Sequence, residues 1–170
     1  KRDFPYTPEA FLEALEELIA ALGIDKFYLV VQGFLGSVGL QYALGNSDRI
    51  ERLIILNTPV SPTAKIPWKM QQWGIPLVGD MLTQDPLLVD RTLEGGSGFV
   101  IDDRSLSIYR KPFLTSSDVG RALVATIKNL KLPQIMTELE SGLTQWQIPT
   151  LLAWGMQDPW LDSDMAEKLA

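Results

Sequence analysis

Histidine and cysteine are both absent from this 170-residue chain. Without cysteine there is no disulfide, no thiolate nucleophile and no thiolate metal ligand. That composition suits a reducing, soluble compartment such as the cytoplasm. Without histidine, these residues lack the usual general base and the commonest metal ligand, and no metal site is expected. Long apolar runs are missing too, so no transmembrane segment is expected. The opening residues, Lys1-Arg2-Asp3-Phe4-Pro5-Tyr6, are not a signal peptide. Basic charge is scarce: the net charge is −6, which gives no footprint for nucleic acid.

What is present is ordinary for one soluble globular domain, with 46% hydrophobic and 21% charged residues. Thr7-Pro8-Glu9 is a helix start, with a capping hydroxyl, a proline suited to the first turn and an acid at the positive end of the dipole. Phe11, Leu15, Leu18 and Leu22 follow at helical spacing, and Gly23 ends the helix. Phe27-Tyr28-Leu29-Val30-Val31 is a nearly all-apolar strand, as expected where helices cover both faces. Gln32-Gly33-Phe34-Leu35-Gly36-Ser37 is a sharp turn, and Val38 to Leu44 reads as the next helix. Leu53-Ile54-Ile55-Leu56-Asn57 is a second buried strand, stopped by Thr58-Pro59. This alternation is that of a parallel α/β sheet.

Residues 60–147 break the rhythm. Pro62, Pro67, Pro76, Pro86 and Pro112 punctuate short helical pieces, with candidates at 67–73, 86–93 and 118–130. Glu94-Gly95-Gly96-Ser97-Gly98 reads as a flexible loop, and Asp102-Asp103 as a solvated turn. Ile148 to Trp154 is a third strand, Gly155-Met156-Gln157-Asp158-Pro159-Trp160 its exit loop, and a last helix begins at Ser163. Neither glycine-rich stretch calls for a cofactor. Residues 95–98 lack the lysine of a phosphate loop, and residues 32–36 do not match a dinucleotide fingerprint.

With these elements in place, the chain resembles the α/β-hydrolase superfamily, in the branch of haloalkane dehalogenases, epoxide hydrolases and related esterases. The resemblance rests on the strand, turn, helix and strand of 27–59, with Tyr42-Ala43-Leu44, Asp48-Arg49-Ile50 and Leu53 to Asn57. It rests also on the strand and loop of 149–159. It implies a partial α/β-hydrolase fold: a parallel sheet flanked by helices, with core segments at 1–59 and 148–170 and a helical cap at 60–147. It further implies a chain that starts after the family's early strands and stops before its histidine. A three-stranded sheet of this kind has open edges, and is not expected to be stable unless further strands or a partner cover them.

The resemblance also locates a site. The family places its nucleophile at the apex of the turn, in a Gly-x-nucleophile-x-Gly pattern. Counted back without gaps from Tyr42-Ala43-Leu44, the five positions are Val31, Gln32, Gly33, Phe34 and Leu35, which puts glycine at the apex. Anchored on Gly36-Ser37 instead, Phe34 stands there. Neither side chain can attack. Ser37, in a partial Gly-x-Ser-x-Gly, is a candidate nucleophile, or else a helix cap or a small packing residue. Asp158 stands at the position of the family's acid, or is a turn residue before proline. Asn57 ends the second strand where ligands gather in open α/β folds, or is simply a strand-end turn residue. Trp68, Trp73 and Trp160 are pocket candidates. Trp68 and Trp73, with Trp146, lie in the cap or at its edge, where dehalogenase tryptophans help bind halide and where aromatic residues also serve as core.

Two functions follow as expectations. One is a non-catalytic protein that keeps a capped pocket or a surface for a small apolar ligand or a protein partner. The other is a hydrolase of small ester, epoxide or haloalkane substrates with an atypical nucleophile such as Ser37. The residues set no oligomeric state.

Overall fold

A computed structural model describes residues 3–169. In chain order the elements are α1 (Pro8–Ala21), β1 (Phe27–Gln32), α2 (Gly36–Gly45) and β2 (Ile50–Leu56). There follow α3 (Trp68–Gln71), α4 (Val78–Leu82), α5 (Leu88–Ser97), α6 (Asp103–Thr115), α7 (Ser117–Asn129) and α8 (Leu132–Leu143). The chain returns to the sheet with β3 (Thr150–Ala153) and continues into α9 (Asp164–Leu169). Two compact units result: residues 8–65 with 131–170, and residues 66–130 with 1–7.

The first unit holds the sheet. All strands are parallel, in the order β1-β2-β3, with Val31 opposite Ile55 and Ile55 opposite Leu152. Parallel pairing needs crossovers: α2 links β1 to β2, and the helical region is inserted between β2 and β3. One face of the sheet is core, where Val31, Leu53 and Ile55 are buried. α2 lies on β1, and α1 and α8 pack in turn on α2. Contact with β1 is close because Gly39 has no side chain; a Cβ there would stand 2.6 Å from Val31 Cγ1. Gly36 faces Thr58 as closely, and Gly142 of α8 admits Leu44.

The opposite face differs from the expectation of helices on both sides. Tyr28 and Val30 of β1 and Leu151 of β3 are more than half exposed. The strand is apolar on both faces, yet α1, α2 and α8 stack through α2 on one of them.

The second unit is helical, with α7 in contact with α4 and α6, and α6 with α5. Three sequence readings are corrected here. Glu94 to Ser97 is not a loop but the end of α5, and Gly98 caps it in the left-handed region at φ +70°. Leu88 and Val89 anchor that helix in the core, which outweighs the roughly 1 kcal/mol penalty of each helical glycine. Asp102 is not a free turn residue; it caps α6, its side chain accepting from Ser105 N at 3.0 Å. Pro112 lies inside α6 instead of ending it. Within the stretch 60–147, residues 66–130 belong to the helical unit, while α8 belongs with the sheet.

Candidate functional site

The site is built at the carboxyl ends of the strands, where each exit loop contributes one residue. Gly33 follows β1 with φ +68°. Between Gln32 and α2 it is the one residue with a positive φ, so the backbone strain of the turn falls on Gly33 and not on Phe34. An L side chain there would be strained, although a Cβ would meet nothing within 4 Å. The Gly33 N–H donates to the Asn57 carbonyl at 3.0 Å, and Gly36 N closes the turn onto Gly33 O at 3.0 Å.

Ser37 lies in the first turn of α2 and is 0% exposed. Its hydroxyl donates to Phe34 O at 2.7 Å. It is not the cap: Leu35 holds that position, without a side-chain hydrogen bond. Gln32 ends β1 with its side chain exposed, and Phe34 is partly buried.

Asn57, at the end of the middle strand, has φ +37°, a left-handed conformation that asparagine tolerates better than most residues. That turn aims its amide at the loop after β3. Asn57 Oδ1 accepts from Gly155 N at 2.9 Å. Asn57 Nδ2 donates to Asp158 Oδ2 at 2.7 Å, with a longer approach to Gly155 O at 3.4 Å. The other carboxylate oxygen, Asp158 Oδ1, accepts from Trp160 N at 2.8 Å and Leu161 N at 3.0 Å. One asparagine therefore ties the turn after β1 to the loop after β3. Its strand-end position was visible in the sequence; its partners lie 24 residues earlier and about 100 later and were not. The tolerance of asparagine for positive φ was the available signal.

The structure thus joins Gly33, Asn57, Asp158 and the Trp160 backbone. Trp68 and Trp73 belong to the helical unit: Trp68 is exposed at the start of α3, whereas Trp73 is buried. Gly79 packs so tightly on the Trp73 backbone that a Cβ would lie 1.9 Å from its carbonyl oxygen, and the buried Trp73 side chain is part of the core of that unit. Trp146 donates from Nε1 to Thr150 Oγ1 at 2.9 Å.

The helical unit has an open cavity of about 610 Å³, lined by Asp80, Thr83, Arg110, Phe113 and Arg121 among others. Its cations are engaged. Arg110 donates from Nε and Nη2 to both oxygens of Asp90 at 2.6 Å, and from Nη1 to Asp103 at 2.5 Å. These bonds hold the Asp90 carboxyl below its ordinary value and raise that of Arg110. Arg121 pairs with Asp118. Among the described residues no group of three or more acidic side chains could hold a metal ion, and no helix is long and apolar enough to cross a membrane.

No family model matches the chain. A cis-3-alkyl-4-alkyloxetan-2-one decarboxylase of Shewanella oneidensis is 25% identical, over 91% of this chain and 52% of that protein. A 2-hydroxy-6-oxononadienedioate/2-hydroxy-6-oxononatrienedioate hydrolase of Dechloromonas aromatica is 26% identical, over 92% and 54%. The chain thus spans about half the length of the curated relatives it matches. Among solved structures, haloalkane dehalogenase DbeA of Bradyrhizobium elkani superposes with a TM-score of 0.77 at 20% identity, over 97% of this chain and 63% of that one. A putative ancestral haloalkane dehalogenase gives 0.79 at 23% identity, over 99% and 64%. An α/β-hydrolase-fold protein of Burkholderia ambifaria gives 0.79 at 17% identity, over 96% and 61%. The chain has the α/β-hydrolase fold, with a helical cap region inserted in sequence between β2 and β3.

Proposed function

We propose that this chain belongs to an α/β-hydrolase-fold protein that binds a small apolar ligand at the carboxyl ends of its strands without attacking it covalently. The observation that carries this reading is Gly33. It takes the strained position of the turn and has no atom with which to attack. The other apex register offers Phe34, which is equally inert. Losing the nucleophile of a triad lowers the rate by orders of magnitude, since binding and oxyanion stabilisation alone leave only a residual acceleration. A protein surface in place of a small ligand is the other form of the same binding reading. The test is turnover by the protein against panels of esters, epoxides and haloalkanes. None is expected; turnover that disappears when Gln32, Phe34 or Ser37 is replaced overturns the reading.

The names of the relatives favour a second reading, and by kinship alone it is the better supported: a hydrolase of small ester, epoxide or haloalkane substrates with an atypical nucleophile. Ser37 is its candidate within this chain, but the hydroxyl is buried and donates to Phe34 O. Attack would require it to leave that bond and reach the surface of α2. This reading predicts a fluorophosphonate adduct at Ser37 and activity lost in Ser37→Ala. An unlabelled Ser37 with unchanged activity in that variant removes Ser37 as the nucleophile.

A further inference from the structure

The cavity of the helical unit is built entirely by residues 80–121, within that one unit. Its volume of about 610 Å³ falls in the range of small-molecule pockets, about 300–1,000 Å³. Two contacts fix its walls. Arg110 of α6 holds α5 by donating to both oxygens of Asp90 at 2.6 Å. Gly120 of α7 lets Thr83, at the end of α4, come close; a Cβ on residue 120 would stand 2.9 Å from Thr83 Cβ and Oγ1. Val89, Phe113 and Leu114 supply apolar wall. Leu114 is 68% exposed, which leaves apolar surface for a ligand to cover. Four charged side chains also line the cavity: Asp80, Asp85, Arg110 and Arg121. Three of them are engaged. Asp85 accepts from Arg91 Nη1 and from Leu87 N, each at 2.9 Å. The single charge of Arg110 serves both Asp90 and Asp103, and Arg121 pairs with Asp118. Asp80 of α4 is the exception. Among the described residues its carboxylate has no ion-pair partner and accepts no hydrogen bond. The cavity therefore sets a surplus of negative charge beside an apolar wall.

We propose that this cavity binds a small organic ammonium ion, with the cation at Asp80 and the apolar body against Val89, Phe113 and Leu114. An ammonium has donors only, and it gains a charge-assisted bond from a carboxylate whose acceptor sites are open. A carboxylate ligand would face Asp80 with like charge, and could reach Arg110 or Arg121 only in competition with Asp90, Asp103 or Asp118. A neutral alcohol can cover the same apolar wall, but without the attraction between opposite charges. The site lies in the helical unit and not at the strand ends, so it goes beyond the reading built on Gly33 and does not depend on it.

The test is an amide NMR titration of the protein with benzylammonium, benzyl alcohol and benzoate, three probes that share a ring and differ in head group. Benzylammonium is expected to shift the Thr83, Val89, Phe113 and Gly120 amides saturably. Benzyl alcohol is expected to bind at least tenfold more weakly, and benzoate to leave these amides in place. Asp80→Asn is expected to weaken benzylammonium at least fivefold while changing benzyl alcohol less than twofold. Asp80→Lys should exchange the preference, so that benzoate now shifts the same amides and benzylammonium does not. Asp80 is exposed and its side chain bonds to no other described residue, so both variants are expected to keep the wild-type amide spectrum away from the cavity. Equal binding of all three probes, or benzylammonium indifferent to Asp80→Asn, overturns the proposal. Shifts scattered over the acidic surface, or no shift from any probe, overturn it as well. None of these outcomes bears on the strand ends, whose reading is tested by turnover.

Discussion

Asn57 and Asp158 are coupled through hydrogen bonds whose polarity is fixed by their neighbours. Asp158 Oδ1 must accept from Trp160 N and Leu161 N, and Asn57 Oδ1 from Gly155 N. Replacing Asp158 by asparagine therefore sets one amide NH2 against another, and one amide must turn away from its backbone donor. The expected loss is about 1–3 kcal/mol, the usual penalty for stranding a partly buried polar group. The reciprocal double variant, Asn57→Asp with Asp158→Asn, can remake the bond between the two side chains and those from Gly155 N, Trp160 N and Leu161 N, with residue 158 donating and residue 57 accepting; only the long donation to Gly155 O at 3.4 Å is lost. Denaturant unfolding of the four proteins in the cycle is expected to show the double variant more stable than Asp158→Asn alone. Strictly additive losses would mean that the pair is not coupled. The places of Gly33 and Asp158 at the strand ends were legible in the sequence, because a strand–turn–helix pattern and a strand-exit loop locate them. The pairing through Asn57 was not legible, because it joins residues 101 positions apart and depends on how far β3 is offset along β2.

At the scale of the elements, apolar content and burial come apart. β1 reads as apolar throughout, yet Val31 is buried under α2 and Val30 stands 54% exposed on the other face. In the centre of the sheet, Ile55 is covered on the side of Val31 and Leu53. Ile55→Ala is expected to lose about 2–5 kcal/mol, as core truncations do, whereas Val30→Thr should stay within about 0.5 kcal/mol. Chemical unfolding of the two variants distinguishes them; equal losses would mean that the two faces of the sheet are equally packed. The three strands were legible because short β-branched runs bounded by polar loops stand out. Within the insertion, α6 was missed because Ile108, Tyr109 and Leu114 are exposed and blur its apolar stripe, and because Pro112 reads as a break. The end of α5 was hidden by its glycines, and α8 by Pro133 in its first turn.

At the scale of the whole molecule, the chain combines a sheet unit held by apolar packing with a helical unit stitched in part by ion pairs. Arg110 bridges α5 and α6 by binding Asp90 while also holding Asp103 on its own helix. The bidentate bonds from Arg110 lower the pKa of Asp90 in the folded state. A lowered carboxyl favours folding above its unfolded value, near 4, and that contribution is lost as pH falls through the lower folded value. Acid is thus expected to destabilise the helical unit below about pH 4, and Arg110→Gln should show a shallower dependence over the same range. Thermal unfolding followed from about pH 6 to pH 2 tests this; parallel curves for the two proteins would exclude the Asp90–Arg110 pair as the cause.

The α/β-hydrolase fold and the glycine at residue 33 meet in the proposal made above, that the strand ends bind a ligand without forming a covalent bond to it. Intact-protein mass after incubation with reactive ester, epoxide and haloalkane substrates tests it most directly, since attack by the turn would leave an acyl or alkyl group on the chain. The expected result is an unchanged mass with every substrate. A mass increase that maps by peptide sequencing to residues 32–37, and disappears when the labelled residue is replaced, would contradict it.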